Sequence, residues 1–401
     1  MTQTLLVTIT GVDKPGVSRD VFRACAQFPV RILDTEQLVI RGRLVLAILL
    51  ESVGSSTDLV DCGRRVVEVA ESLGMGADIA PGESVSPDEP RQRFRITLLG
   101  NPLEPAAISD VASEVAGHGG NIDRIFRIAD YPITALAFDG SGVNPDALRR
   151  SLAEISSATG VDIAIQDQTL EARGQYLVVL DVDSTVIQNE VIDLLAARAG
   201  RLDEVARITE LAMSGALDFD TALRDRVSLL QGLPESVIDD VRSAITLTPG
   251  ARTLCRTLRR LGYRIALVSG GFTSVIRPIA DDLGVDVVRA NELEIVDGHL
   301  TGRVIGPVID RAGKRAALEE LAAAYRIPRR RTVAIGDGAN DLDMLEAAGL
   351  GIAFNAKPVT RAAADASVSV PYLDSVLFLL GITREEIEEA DARDGSPTPR
   401  P

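Results

Sequence analysis

Tyr176-Leu-Val-Val-Leu180 is a short apolar run that breaks off into Asp181-Val-Asp183-Ser-Thr185, a turn of carboxylates and hydroxyls. An apolar run without alternation belongs to a strand buried on both faces, the pattern of a parallel sheet. Similar runs follow at 264–268, 332–335 and 351–353, each leading into a helical pattern. Together they predict an α/β domain over 175–383 built on a doubly wound, Rossmann-type parallel sheet. The first two runs are separated by far more residues than one crossover needs, mostly at helical spacing, so about 191–247 is expected to be an inserted helical cap. Residues 291–308 read as a hairpin turning at Asp297-Gly298. The charged, proline-rich stretch 384–401 reads as a flexible tail.

In open α/β sheets ligands bind beyond the carboxyl ends of the strands. Two further run ends carry polar groups there, Ser269-Gly270-Gly271 and Gly336-Asp337-Gly338-Ala339-Asn340-Asp341. Asp181, Asp183, Asp337 and Asp341 on one rim would repel one another without a cation, and a hard oxygen-seeking ion such as Mg²⁺ resolves the conflict. The two-residue spacing lets one turn offer the carboxylate of Asp181 and the backbone carbonyl of Asp183 to the same ion. Each motif alone is an ordinary turn; the signal lies in all three, in this order, each after a buried strand. Lys314 adds to it: only Lys14, Lys314 and Lys357 are lysines among 42 basic residues, so a lysine here points to a need for a compact ammonium.

This set, with Asp310-Arg-Ala-Gly-Lys314 between the second and third motifs, resembles the haloacid dehalogenase superfamily of aspartyl phosphotransferases over about 175–381. The resemblance implies that Asp181 is the nucleophile, forming a phospho-aspartate, and that Asp183 protonates the leaving alcohol and then deprotonates water. It assigns phosphoryl oxygens to Ser269 and Lys314, and Mg²⁺ to Asp181, the carbonyl of Asp183 and Asp337, with Asp341 behind them. The chemistry is consistent, because a carboxylate approaches a phosphate dianion only when cations neutralise both.

Glu190, Met213 and the run Phe219-Asp-Thr-Ala-Leu-Arg-Asp-Arg226-Val-Ser-Leu-Leu-Gln-Gly-Leu-Pro234 are similar to the phosphoserine phosphatase branch of that superfamily. This implies hydrolysis of O-phospho-L-serine, the last step of L-serine biosynthesis. Glu190 would face the substrate ammonium, Arg226 would grip its carboxylate, and Met213 and Phe219 would form an apolar lid. Gly270 and Asn340 would lie nearer the phosphate and carboxylate. The alternatives are a related phosphatase for another phospho-amino acid, a sugar phosphate or a phosphoprotein, and an amino-acid sensor with an inactive catalytic domain. The joint presence of Asp181, Asp183, Lys314 and Asp337 argues against the sensor.

The front half repeats itself. A strand at 4–10, helix at 16–26, two strands around Arg41-Gly42 and a helix at 56–73, capped by Ser56, recur from 94 onward. Gly11 with Gly100 and Asp34 with Asp123 share one offset of 89 positions, which reads as a duplicated α+β unit of βαββαβ order, ferredoxin-like. The units span 1–82 and 92–170, with 81–90 as linker. They resemble the ACT domain, an amino-acid-binding regulatory module, best over Thr8-Ile-Thr-Gly11-Val-Asp13-Lys-Pro-Gly16-Val. The resemblance implies ligand contacts at Gly11, Asp13 and Gly16, and either a response to free L-serine or homodimerisation. The second copy has Pro102 and Pro105 where the first has Asp13 and Gly16.

Composition bounds the partners. With 401 residues, 58 acidic and 42 basic, the chain has a formal net charge of −16, which disfavours nucleic acid and anionic membranes. Aromatic residues are 3% and Trp is absent, so a base-stacking platform is not expected either. Three scattered cysteines (Cys25, Cys62, Cys255) give no disulfide framework, and no run is long enough to span a membrane; a reducing, cytoplasmic setting is expected. The two histidines, His118 and His299, lie in turns and offer no Ser-His-Asp arrangement.

Overall fold

Alternation builds the first unit, Met1–Pro90. In the computed structural model, β1 (Thr4–Val12), α1 (Val17–Cys25), β2 (Val30–Ile40), β3 (Arg43–Ser52), α2 (Ser56–Ser72) and β4 (Gly76–Gly82) follow one another in βαββαβ order. The described residues are 4–82, 92–168, 174–213, 216–396 and 398. The antiparallel sheet runs β2-β3-β1-β4. Leu44, Leu46, Ile48 and Leu50 of β3 and Val7 and Ile9 of β1 pack against Val21 and Val66 of the two helices. The cap of α2 is Ser55, one residue before the expected Ser56, closing a reciprocal box with Asp58. The expected linker begins inside β4; residues 83–90 lie outside the described ones.

The second repeat opens the other unit, Arg91–Pro401. It comprises β5 (Arg93–Gly100), α3 (Pro105–Gly117), β6 (Asn121–Ala129), β7 (Thr134–Ser141), α4 (Pro145–Thr159) and β8 (Asp162–Asp167), in sheet order β6-β7-β5-β8. One face, carrying Phe94, Ile96 and Phe138, meets α3 and α4. The other, carrying Leu99, Ile128, Ala135, Ala137 and Ala164, shares a single core with the domain that follows. The sequence reading treats 92–170 and 175–383 as separate domains; here they are packed as one body, the small alanines of β7 and β8 allowing close approach.

The large sheet is β12-β11-β10-β9-β13-β14-β15. Its strands are β9 (Leu177–Leu180), β10 (Arg264–Phe272), β11 (Val287–Val296), β12 (His299–Ile305), β13 (Thr332–Gly336), β14 (Leu350–Phe354) and β15 (Ala366–Val368). All pairs are parallel except the β11–β12 hairpin, which turns at Asp297-Gly298 as expected. In β9, Val178 and Leu180 face one core layer and Leu177 and Val179 the other, so both faces are covered. The cap is helical: α5 (Val191–Ala199), α6 (Leu202–Met213), α7 (Phe219–Ser228) and α8 (Val237–Ala244). Then come α9 (Ala251–Arg260), α10 (Thr273–Leu283), α11 (Arg311–Ala324), α12 (Leu342–Ala347), α13 (Pro358–Ala363), α14 (Val376–Leu379) and α15 (Arg384–Arg393). Among the described residues no helix is long and apolar enough to cross a membrane.

The reading of 384–401 as a flexible tail is corrected by α15, which is docked. Ile387 and Asp391 are buried, and Asp391 accepts hydrogen bonds from Arg256 Nη2 (2.6 Å), Arg260 Nη1 (2.5 Å) and Thr398 Oγ1 (2.5 Å). Composition misled because the acidic residues of this stretch meet arginines on α9, far away in sequence. Burial works against the charge of Asp391, but the bonds from Arg256, Thr398 and Arg260 outweigh it and hold the carboxyl below the usual carboxylate range. Its contribution is complete above the ordinary carboxylate pKa and is lost as pH falls through the lower folded value. Asp391→Ala is expected to destabilise this unit by about 3 kcal/mol at neutral pH and much less in acid, read as the shift in urea midpoint at the two pH values.

Candidate active site

Each rim group stands where a strand stops. β9 ends at Leu180, and Asp181 follows with its backbone N–H donating to Ile335 of β13 (2.9 Å), so the turn starts inside the sheet. Asp181 is 3% exposed; its Oδ1 accepts from Val182 N (2.7 Å) and lies 2.8 Å from Lys314 Nζ. Lys314 projects from the first turn of α11, which is capped by Asp310 accepting from Gly313 N (2.7 Å). The same ammonium lies 2.6 Å from Asp341 Oδ1. Asp341 Oδ2 accepts from Gly338 N (3.0 Å) and closes the turn after β13. Burial opposes the Lys314 charge, but Asp181 and Asp341 outweigh it and raise its pKa.

Carboxylate oxygens of Asp181, Asp337 and Asp341 lie within 4.8 Å of one another, a hard-oxygen set that suits a divalent cation. The two oxygens of Asp341 are engaged by Lys314 Nζ and Gly338 N, in keeping with a place behind the ion. Asp337 receives a hydrogen bond from Thr185 Oγ1 (3.2 Å). Desolvation first, then the charges of Asp341 and Glu190, push the Asp337 carboxyl up to about 6.

Asp183 is fixed at both oxygens. Oδ1 accepts from Val191 N (2.8 Å), the first residue of the cap, and Oδ2 accepts from Ser269 Oγ (3.1 Å). Desolvation of the carboxyl, and then the charge of Glu190, push it up to about 7, where it can hold a proton near neutrality. Ser269 Oγ in turn accepts from Gly271 N (2.8 Å). A Cβ at Gly271 would lie 2.9 Å from Asp183 Oδ2, so a side chain there would displace the acid.

The cap closes over the same rim. Glu190 accepts from Ser184 Oγ (2.8 Å), and Ser184 holds a left-handed φ of 57° to make the turn. Phe219 lies over the Ser269-Gly270 loop, its ring 3.2 Å from where a Cβ of Gly270 would stand. Arg226 is half-buried, donates to Ala222 O (3.2 Å) and Thr209 Oγ1 (3.3 Å), and faces the charges of Asp193, Glu190 and Asp183. Asn340 stands in the turn after β13, against Gly338. Met213 ends α6, but its side chain lies outside the described residues.

Three groups were missed in sequence. Thr185 sat inside the quoted motif, where a hydroxyl beside two carboxylates was signal enough. Thr209 and Asp193, which face Arg226, left no trace, because they come from other cap helices. In the first unit, Gly11 lies within the last residues of β1, and Asp13 and Gly16 follow its end. Gly16 (φ 97°) starts α1 and Asp13 is exposed, whereas the open side of Gly11 is filled by Met75 (2.9 Å from an added Cβ) rather than left for a ligand.

Residues 178–346 match the haloacid dehalogenase-like hydrolase family, and residues 3–64 and 93–166 each match an ACT domain. The chain is 53% identical to a phosphoserine phosphatase of Streptomyces coelicolor, over 97% of this chain and 94% of that one. It is 52% identical to phosphoserine phosphatase SerB2 of Mycobacterium tuberculosis, over 97% and 96%. A crystal structure of a probable phosphoserine phosphatase from Vibrio cholerae superposes with a TM-score of 0.57 at 35% identity, covering 74% of this chain and 88% of that one. With the two repeats and the catalytic rim matched along nearly the whole length, the chain belongs to the phosphoserine phosphatase family of haloacid dehalogenase-like hydrolases, preceded by two ACT domains.

Proposed function

We propose that this chain hydrolyses O-phospho-L-serine to L-serine and phosphate through a phospho-aspartyl intermediate on Asp181. The observation that carries the reading is one rim holding a lysine-paired Asp181 and, two residues on, an Asp183 carboxyl pushed up to about 7. In the first half-reaction an Asp181 carboxylate oxygen bonds to phosphorus, the phosphorus–ester oxygen bond breaks, and Asp183 gives its proton to the departing serine oxygen. In the second, Asp183 takes a proton from water as the water oxygen bonds to phosphorus. Phosphate leaves and the Asp181 carboxylate returns. Lys314 and Ser269 hold phosphoryl oxygens and spread their charge. Asp181, Asp337 and the carbonyl of Asp183, with Asp341 beside them, would hold Mg²⁺, which when bound neutralises the meeting of carboxylate and phosphate.

Recognition of the amino acid follows from sign. Glu190, oriented by Ser184, faces the substrate ammonium; Arg226, steadied by Thr209, faces the carboxylate; Phe219 covers the rest. The ACT units sense L-serine or bring two copies together. In support of pairing, edge strand β2 exposes Leu38, Val39 and Ile40 at 37%, 48% and 62%. We place this activity in the cytoplasm, at the end of serine biosynthesis.

Phosphate release from O-phospho-L-serine is expected to need Mg²⁺, to stop with EDTA and to be abolished in Asp181→Asn; release surviving in that variant would sink the nucleophile assignment. Arg226→Ala is expected to lower kcat/KM for O-phospho-L-serine roughly 10- to 100-fold but to leave O-phosphoethanolamine, which lacks the carboxylate, nearly unaffected. Equal losses on both would move Arg226 out of recognition. Calorimetric titration of the whole chain with L-serine is expected to show a saturable heat that Asp13→Ala reduces; no heat leaves dimerisation as the role of the ACT units.

A further inference from the structure

β10 and β11 pair in register at Ala266–Val287, Leu267–Val288 and Val268–Arg289, then shift before Phe272 meets Asn291. That shift takes Ser269-Gly270-Gly271 out of the ladder and lets Ser269 reach Asp183. It also leaves half-buried Gly270 without a register partner on β11, so its carbonyl takes a donor from outside the ladder. Asn291, 0% exposed, supplies it: Nδ2 donates to Gly270 O at 2.8 Å. Its Oδ1 accepts from Ile309 N, also at 2.8 Å. Ile309 immediately precedes Asp310, the cap of the helix that presents Lys314.

One buried amide therefore ties the loop of Ser269 and Gly270 to the segment that launches Lys314. These two loops arise at the end of β10 and beyond the β11–β12 hairpin, and they approach closely: an added Cβ on Gly270 would lie 3.7 Å from Ile309 O. An amide is suited to the place because one loop offers an acceptor and the other a donor. An aspartate could receive Ile309 N–H but could not donate to Gly270 O as a carboxylate; an alanine does neither.

We propose that Asn291 is a positioning residue that sets the spacing between the two phosphate-holding arms, Ser269 with Gly270 on one side and Lys314 on the other. It touches no substrate atom and acts through those groups, so the inference rests on the phosphatase reading above. Displacing groups that hold a transferring phosphoryl by about 1 Å costs on the order of 100-fold in rate. Because Glu190 and Arg226 grip the amino acid from other elements, the loss should fall on kcat more than on KM.

The experiment compares the whole wild-type chain with Asn291→Ala and Asn291→Asp, using O-phospho-L-serine as substrate and orthovanadate as a mimic of the five-coordinate phosphoryl group. Expected in Asn291→Ala is a kcat lower by roughly 10- to 100-fold, a KM within about threefold, and a vanadate inhibition constant that rises with the loss in kcat/KM. Asn291→Asp should show a similar kcat loss, since it keeps the bond to Ile309 but as a carboxylate has no proton for Gly270 O. Near-wild-type kcat and vanadate inhibition in either folded variant would overturn the proposal. So would a loss of activity that follows only the unfolded fraction, with the vanadate constant of the remaining enzyme unchanged. Should the wild-type chain release nothing from O-phospho-L-serine, the substrate reading fails instead, and the same comparison with p-nitrophenyl phosphate decides the role of Asn291.

Discussion

The ammonium of Lys314, 2.8 Å from Asp181 and 2.6 Å from Asp341 with 1% of its side chain exposed, constrains everything around it. Three charges withdrawn from water cost several kcal/mol each unless geometry and hydrogen bonds compensate them together. Asp181 can take part only if β9 stops at Leu180, Asp341 only if the chain turns back through Gly338 after β13, and Lys314 only if α11 starts at Asp310. The triad thus sets the ends of two strands and the start of one helix. It also leaves an excess of negative charge, because Asp337 and Asp183 stand beside it without an ammonium of their own. Burial first, and neighbouring carboxylates after it, raise the carboxyls of both. A site with this balance favours whatever brings positive charge to the rim, and it lets a dianionic phosphate approach only once that charge is there.

The second ACT domain is part of the support for this rim. β8 and β15 are edge strands of their sheets, and exposed edges invite uncontrolled pairing. Here they cover each other. Asp162, 3% exposed, accepts from Ser367 Oγ (2.5 Å), Ser369 N (2.6 Å) and Ser369 Oγ (2.9 Å). Beside it Arg149 of α4 donates to Asp365 (2.9 Å), and Asp365 accepts from Gly351 N of β14 (2.9 Å). The bonded path from α4 therefore reaches the strand next to β13, whose end at Gly336 is followed by Asp337. The first ACT unit keeps its own separate core, with Leu44, Leu46, Ile48 and Leu50 at its centre. The two copies share a fold but differ in what their open sheet faces do.

Most of the architecture was legible because burial on both faces leaves a plain trace. Runs such as Leu177-Val-Val-Leu180 have no alternation, and the polar residues that follow them mark the strand ends. The duplication was legible because two anchors shared one offset. What stayed hidden depended on groups distant in sequence. α15 is acidic and isolated on paper; only Arg256 and Arg260 of α9 make it a docked helix. The alanines of β7 and β8 read as ordinary strand residues, and nothing local distinguishes a face covered by α3 and α4 from one covered by another domain. The residues that meet on the rim were legible because the chemistry inferred for them demands particular types at fixed spacing. Their supports, Thr209 and Asn291, escaped because any polar residue reaching from another element could have served.

The stretch from Asp181 to Glu190 brings Asp181, Asp183 and Glu190 to one rim, and on the proposed phosphatase reading this links their states. Asp183 Oδ1 accepts Val191 N–H, which favours Oδ2, the oxygen that faces Ser269, as the place for a proton on this carboxyl. The Ser269 oxygen already accepts Gly271 N–H and has a single proton to donate. While Asp183 is charged, that proton goes to Asp183; once Oδ2 is protonated, the hydroxyl is released toward the phosphoryl oxygens. The acid becomes able to give its proton in the same state in which Ser269 becomes able to hold the phosphate. On that reading, phosphate holding by Ser269 and readiness of Asp183 for the first proton transfer are coupled through one hydroxyl.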